Sequence, residues 1–284
     1  MKYSNLQILN CCSKAQLAGY NNIYGLNGYQ IPGDKDTIYK YTPLHYLIDD
    51  VCNNRLSFVS PDNWEDSFET RYYKLDNYQR KLGFTEPEIF CMCLTSKQAE
   101  NEDAFWRRYA RAKAQMVWVK YDINELFKAL DTFAAKNNVK IFIGEAIYLD
   151  KAEILRITPT QNKIFFPMLP NKFDIEHYLS LMSLKRGAFS YENEIRIFVV
   201  SNDGFDESVK VYRVSENCSR VQTLSVTTQS KQSHIKEVRI SPYAPVNENF
   251  KLIEKPCDNI QGLLPQGIRI TQSQLFERCP KCKL

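Results

Sequence analysis

The chain has 284 residues, 44% of them apolar and 13% aromatic, which is ample for a packed core and excludes a largely disordered protein. Its net charge of +4, with 25% charged residues, neither demands nor forbids a polyanionic partner. No stretch reaches the roughly 18 continuous apolar residues of a membrane span, and Met1-Lys2-Tyr3-Ser4-Asn5 leads into no signal-like run, so a cytoplasmic protein with no membrane partner is expected.

Residues 1–35 are rich in Asn, Tyr and Gly and end at Pro32-Gly33-Asp34, which reads as an N-terminal extension closed by a turn. Residues 36–284 then read as a single α+β domain with a short Cys-containing C-terminal tail. Ile38-Tyr39-Lys40-Tyr41 is a short strand, and Thr42-Pro43 starts a helix through His45, Leu47, Ile48 and Val51. Leu56 to Ser60 is a strand that Pro61-Asp62-Asn63 breaks, leaving Trp64-Glu65-Asp66-Ser67-Phe68-Glu69 as a polar loop with an exposed rim. The apolar run Ile89 to Leu94 fits a buried strand. Asp103 caps a helix with Phe105, Trp106 and Tyr109 on one side and Arg107, Arg108 and Arg111 on the other. Met116 to Tyr121 is a strand, and Asp122 with Glu125 opens a helix through Leu126, Phe127, Leu130 and Phe133. Val139 to Leu149 is strand-like, and Asp174 caps a helix carrying Ile175, Tyr178, Leu179 and Met182.

The best strand is Tyr191 to Val200, β-branched and aromatic in its second half. Alternation puts Glu192, Glu194 and Arg196 on one face, two carboxylates and a guanidinium at roughly 7 Å spacing. That face either holds a small polar ligand or is a set of cross-strand ion pairs on a solvated surface. Short extended segments follow at Val209 to Val214, Ile235 to Ile240 and Ile268 to Thr271. This order favours a mixed α+β fold, mainly antiparallel sheets with flanking helices around a cleft. Neither a Gly-x-Gly-x-x-Gly after a strand nor a Gly-Lys-Ser/Thr occurs, so Rossmann and P-loop readings lack their phosphate cradle.

Nine cysteines is an odd count, read as reduced thiols in the absence of a secretion signal. Cys279-Pro280-Lys281-Cys282 has the spacing of one zinc knuckle, but Cys11-Cys12 and Cys91-Met92-Cys93 do not supply a second. The histidines, His45, His177 and His234, are scattered, and no metal is expected. Arg107, Arg108, Arg111 and Lys113 line a basic helix whose alternatives are a solvated face and a contact for phosphate or RNA.

Five segments together resemble a large bacterial family known as a domain of unknown function, whose relatives include AbiG-type abortive phage-infection proteins. They are Ile38-Tyr39-Lys40-Tyr41; Leu56-Ser57-Phe58 leading to Trp64-Glu65-Asp66-Ser67-Phe68-Glu69; Cys91 to Thr95 leading to Phe105-Trp106-Arg107-Arg108-Tyr109-Ala110; Tyr191 to Arg196; and Ile235 to Ile240. The family's Asn-Asp-Pro loop is altered here to Glu65-Asp66-Ser67. More weakly, at the level of fold, the same layout resembles ADP-ribosyltransferases. That resemblance implies NAD as substrate, with Glu194 supporting the oxocarbenium, Glu192 facing the acceptor and Tyr39 stacking on nicotinamide. It also implies Lys40 or Arg196 on the pyrophosphate. Asp66 and Glu69, otherwise solvated or capping acids, suit a rim for that site, and Trp106 and Tyr109, otherwise core aromatics, the wall behind it. The chemistry is reasonable, since a carboxylate fixed on a strand stabilises ribosyl cation without reorganising. The expected function is an NAD-using ADP-ribosyltransferase-like effector of phage defence, in abortive infection or a toxin–antitoxin pair, with a protein or nucleic-acid acceptor. The alternative is a non-enzymatic module that binds a phage protein, antitoxin or other partner through the same polar cleft.

Overall fold

A computed structural model describes residues 14–31, 37–64, 69, 87–96, 106, 116–150, 152–153, 175–214, 220–227, 234–241, 264 and 266–272. In chain order the strands are β1 (Lys14–Gln16), β2 (Ile23–Leu26), β3 (Ile38–Pro43), β4 (Arg55–Val59), β5 (Glu88–Thr95), β6 (Met116–Tyr121), β7 (Lys140–Glu145), β8 (Ile147–Leu149), β9 (Leu184–Arg186), β10 (Glu194–Ser201), β11 (Lys210–Val214), β12 (Arg220–Thr227), β13 (Ile235–Ile240) and β14 (Arg269–Gln272). The helices are α1 (Leu44–Cys52), α2 (Ile123–Asn137) and α3 (Ile175–Met182). The fold is mixed α+β, mostly antiparallel, with few helices among the described residues.

The chain divides into two compact units woven from alternating segments. One comprises residues 1–32, 57–93 and 130–226, the other residues 33–56, 94–129 and 227–284. In the first unit the sheet runs β1-β2-β7-β10-β5-β4-β12-β11. β2 lies parallel to β7, and β10 antiparallel to β7 with Arg196 opposite Gly144 and Phe198 opposite Phe142. A separate parallel pair, β8 with β9, sets Tyr148 beside Lys185. The stretch read as an N-terminal extension therefore supplies two strands, anchored by the Asn22 amide donating to the Asp131 carboxylate at 2.7 Å. The expected single strand from Val139 to Leu149 is divided at Ala146 into β7 and β8, and the Ala146 amide donates to the Glu194 carbonyl at 2.8 Å, a last rung toward β10.

One face of this sheet is packed by α3. Tyr178, Leu179 and Met182 meet Leu26, Cys91, Phe142, Phe198 and Val200 in a buried cluster. That burial explains why β10 is apolar beyond Arg196, with all eight of its residues buried.

In the second unit, β3 and β13 flank β6 antiparallel, and β14 adds parallel to β13. Asp122 accepts from the Glu125 amide at 3.1 Å, the N-terminal cap expected of that Asp-x-x-Glu spacing. The core here is aromatic: Tyr39 stacks on Trp118 with ring centres 4.5 Å apart, and Tyr41 meets Trp106 edge-on at 5.2 Å. No helix among the described residues is long and apolar enough to cross a membrane.

Candidate functional site

Five charged side chains meet inside the first unit, drawn from two separate parts of the chain. Lys185 comes from β9, Glu192 from a 3-10 turn spanning Gly187–Glu192, Glu194 and Arg196 from β10, and Glu69 from a segment more than a hundred residues earlier. The strand starts at Glu194, not at Tyr191, because Asn193 takes a left-handed conformation (φ 39°) that turns the chain between the two glutamates. Asn tolerates that region better than other side-chain-bearing residues, which is a local reason for its presence. Glu192 consequently reaches the cluster from a turn and not from a strand face.

The geometry is closed. The Arg196 guanidinium is 0% exposed: Nε donates to Glu194 Oε1 at 2.9 Å, and Nη2 to Glu69 Oε2 at 2.6 Å and to Glu194 Oε2 at 3.2 Å. Its Nη1 donates to the carbonyl of Met182 at the C-terminal end of α3, where a cation also complements the helix dipole. Lys185 donates to Glu192 Oε2 at 2.7 Å and to Glu194 Oε2, and lies 3.7 Å from Glu69 Oε1. Glu192 and Glu194 are 1% and 5% exposed. The expected solvated face is therefore a buried network, and the reason is that α3 and Trp64 cover it. Trp64, expected on an exposed rim, is only partly exposed and sets its ring 4.5 Å from the Arg196 guanidinium carbon. Phe189 lies 5.6 Å below the Lys185 ammonium.

Three carboxylates share two cations, and Glu194 and Glu69 are pushed in opposite directions. Burial pushes the Glu194 carboxyl upward, but Arg196 and Lys185 outweigh it and hold the group at about 2. For Glu69 burial wins over the same two cations, and its pKa is raised. Burial alone would lower Lys185, yet Glu194, Glu69 and Glu192 raise it well above the ordinary ammonium range. Glu194 is thus a fixed carboxylate with both oxygens engaged, and Glu69 is the carboxyl that burial pushes upward. The Cys93 thiol of β5 also helps to hold the Glu194 carboxyl down, after Arg196 and Lys185.

At its other end the network is tied to a cleft. The Glu194 amide donates to the Tyr148 hydroxyl at 2.8 Å, and Tyr148 lines a cleft of about 460 Å³ together with the loop Leu26–Gln30 and residues Glu145, Ala146 and Ile147. Burial, ahead of its neighbouring charges, pushes the Tyr148 phenol up to about 12.

Of the residues singled out from the sequence, Glu69, Glu192, Glu194 and Arg196 are brought together in the first unit. Tyr39, Lys40 and Trp106 belong to the second unit, where Tyr39 and Trp106 are core residues and one face of the Tyr39 ring is covered by Trp118. Asp66, Tyr109, the basic side chains Arg107, Arg108, Arg111 and Lys113, and the Cys279–Cys282 pair lie outside the described residues. Lys185 and Tyr148 join the site without a strong signal in the sequence. The signal for Lys185 is a Lys-Arg pair on a three-residue strand seven residues before Glu192. Among the described residues no group of three or more His, Cys, Asp or Glu side chains is arranged to hold a metal ion.

No family model matches the chain, and neither a curated protein nor a solved structure matches it.

Proposed function

We propose that this chain is a non-enzymatic partner-binding module, of the kind used in bacterial phage defence, and that the Glu69–Lys185–Glu192–Glu194–Arg196 network is its internal brace. The observation that carries this reading is the state of Glu194: it is 5% exposed, with both oxygens bonded to cations that are themselves buried. A carboxylate meant to meet a developing ribosyl cation needs an oxygen aimed at open space, and those of Glu194 are aimed at Arg196 and Lys185. Exchanging such contacts for substrate contacts forfeits a buried ion pair, a loss on the order of 3–5 kcal/mol. The phage-defence setting rests on the five-segment resemblance alone.

One observation favours the transferase reading: Glu192 and Glu194 converge on one ammonium, the two-acid arrangement that the weaker resemblance implies. A thermal-shift titration with NAD separates the two, since a ligand that binds only the native state must stabilise it. The module reading predicts no saturable rise in melting temperature. A saturable rise that Glu194→Gln removes overturns it.

A further inference from the structure

The cleft beside Tyr148 has a definite chemistry. Its volume, about 460 Å³, is in the range of small-molecule sites. Two tyrosines, Tyr29 and Tyr148, and one carboxylate, Glu145, line it, and among the described residues its lining contains no cationic side chain. Glu145 is exposed and makes no side-chain hydrogen bond or ion pair among the described residues. The charged network reached through Tyr148 holds three carboxylates against two cations, with Arg186 beside it on β9.

The loop that forms the other wall is built, not incidental. Tyr29 donates its amide to the Leu26 carbonyl at 2.9 Å, Asn27 and Gly28 both take left-handed conformations, and the Asn27 side chain accepts from the Ser180 hydroxyl of α3 at 3.2 Å. A carbon added at Gly25 would stand 2.2 Å from the Tyr29 carbonyl oxygen, so glycine there is what lets the loop fold back.

Aromatic rings with a single unpaired carboxylate are the complement of a small organic cation. We infer that the cleft binds an alkylammonium group, held by Glu145 with Tyr29 and Tyr148 at its sides. The group comes either from a free amine or from a lysine side chain of the bound partner; the inference rests on the binding-module reading for its meaning. The assay contains no nucleotide, so its failure leaves the NAD titration standing, and the converse.

The test is a calorimetric and thermal-shift titration of the full chain with putrescine, with Nα-acetyl-lysine methylamide, and with neutral 1,4-butanediol, repeated on Glu145→Gln. Because Glu145 is exposed, that variant should fold as the wild type does. The expected result is saturable binding of an amine, none of the diol, and an affinity lowered about 10-fold or more in Glu145→Gln, the size of a lost charge-assisted contact. Preference for putrescine assigns a free amine, and preference for the lysine mimic assigns a partner side chain. Absence of saturable binding by either amine, equal binding of the diol, or unchanged affinity in Glu145→Gln overturns the inference.

Discussion

Replacing Glu194 by Gln changes the network by one charge while keeping its shape. Arg196 then retains Glu69 and the Met182 carbonyl, and Lys185 retains Glu192 with Glu69 farther off, so two buried cations face two carboxylates, one of which has a raised pKa. Breaking a buried pair from one side typically costs about 3–5 kcal/mol, because the remaining charge is left undercompensated in a dry site. The displacement of Glu194 from 4.5 to about 2 leads to a similar figure, ~3 kcal/mol at about 1.4 kcal/mol per pH unit. For a chain of this size that loss lowers the melting temperature by roughly 10 °C. Urea denaturation followed by circular dichroism at pH 7 reads the loss directly, with an unchanged denaturant slope showing that the native state keeps its compactness. A paired variant, Glu194→Gln with Arg196→Met, should recover part of the stability, since an apolar replacement removes the cation that has lost its main partner. A loss below about 1 kcal/mol in the single variant, the value of a surface pair, would refute the view of the network as a buried brace.

The same network makes a pH prediction. The folded pKa of Glu194 lies below its unfolded value, so its contribution is complete above about pH 4.5 and disappears as pH falls through about 2; in Glu194→Gln, stability measured across that window should fall less steeply by up to ~3 kcal/mol. Glu69 runs in the opposite sense, its raised pKa stabilising the fold at low pH and losing that contribution as pH rises through the folded value, so Glu69→Gln should depend less on pH above 4.5 than the wild type. Gly25→Ala forces a carbon against the Tyr29 carbonyl oxygen and should cost about 1–3 kcal/mol in a melt, with loss of amine binding as the loop shifts. Trp106→Ala empties a fully buried position among Tyr41, Met116 and Trp118 and should cost about 3–5 kcal/mol in a denaturant titration.

Much of the local structure is legible in the sequence because its causes are local. Met116 to Tyr121 is found as the strand that its residues imply, and Asp122 caps the following helix through a contact three residues away. The break at Asn193 was hidden because the residues around it keep a strand-like alternation; the left-handed turn is a backbone choice that Asn permits but does not announce. β1 leaves no mark in the sequence because Lys14-Ala15-Gln16 is an exposed edge with no apolar signature, and β2 little because its four residues sit in a glycine- and asparagine-rich stretch. At the site, Glu192, Glu194 and Arg196 are close in sequence and could be grouped by spacing. Their burial could not, since alternating charge on a strand reads equally as a solvated face. What buries them is Glu69, Trp64 and the end of α3, and the Arg196–Glu69 contact spans 127 residues, a distance no periodicity reports. The cleft is less legible still, built by a turn at Asn27-Gly28 meeting the break at Ala146.

The most direct test of the central claim, that Glu194 braces the fold and does no chemistry, is nicotinamide release from NAD by the purified wild type beside Glu194→Gln, with and without bacterial protein and nucleic acid as acceptors. The account predicts no release above the uncatalysed background from either protein, together with the lower melting temperature of the variant. Release by the wild type that falls about 10²-fold or more in a Glu194→Gln protein of unaltered stability would contradict it.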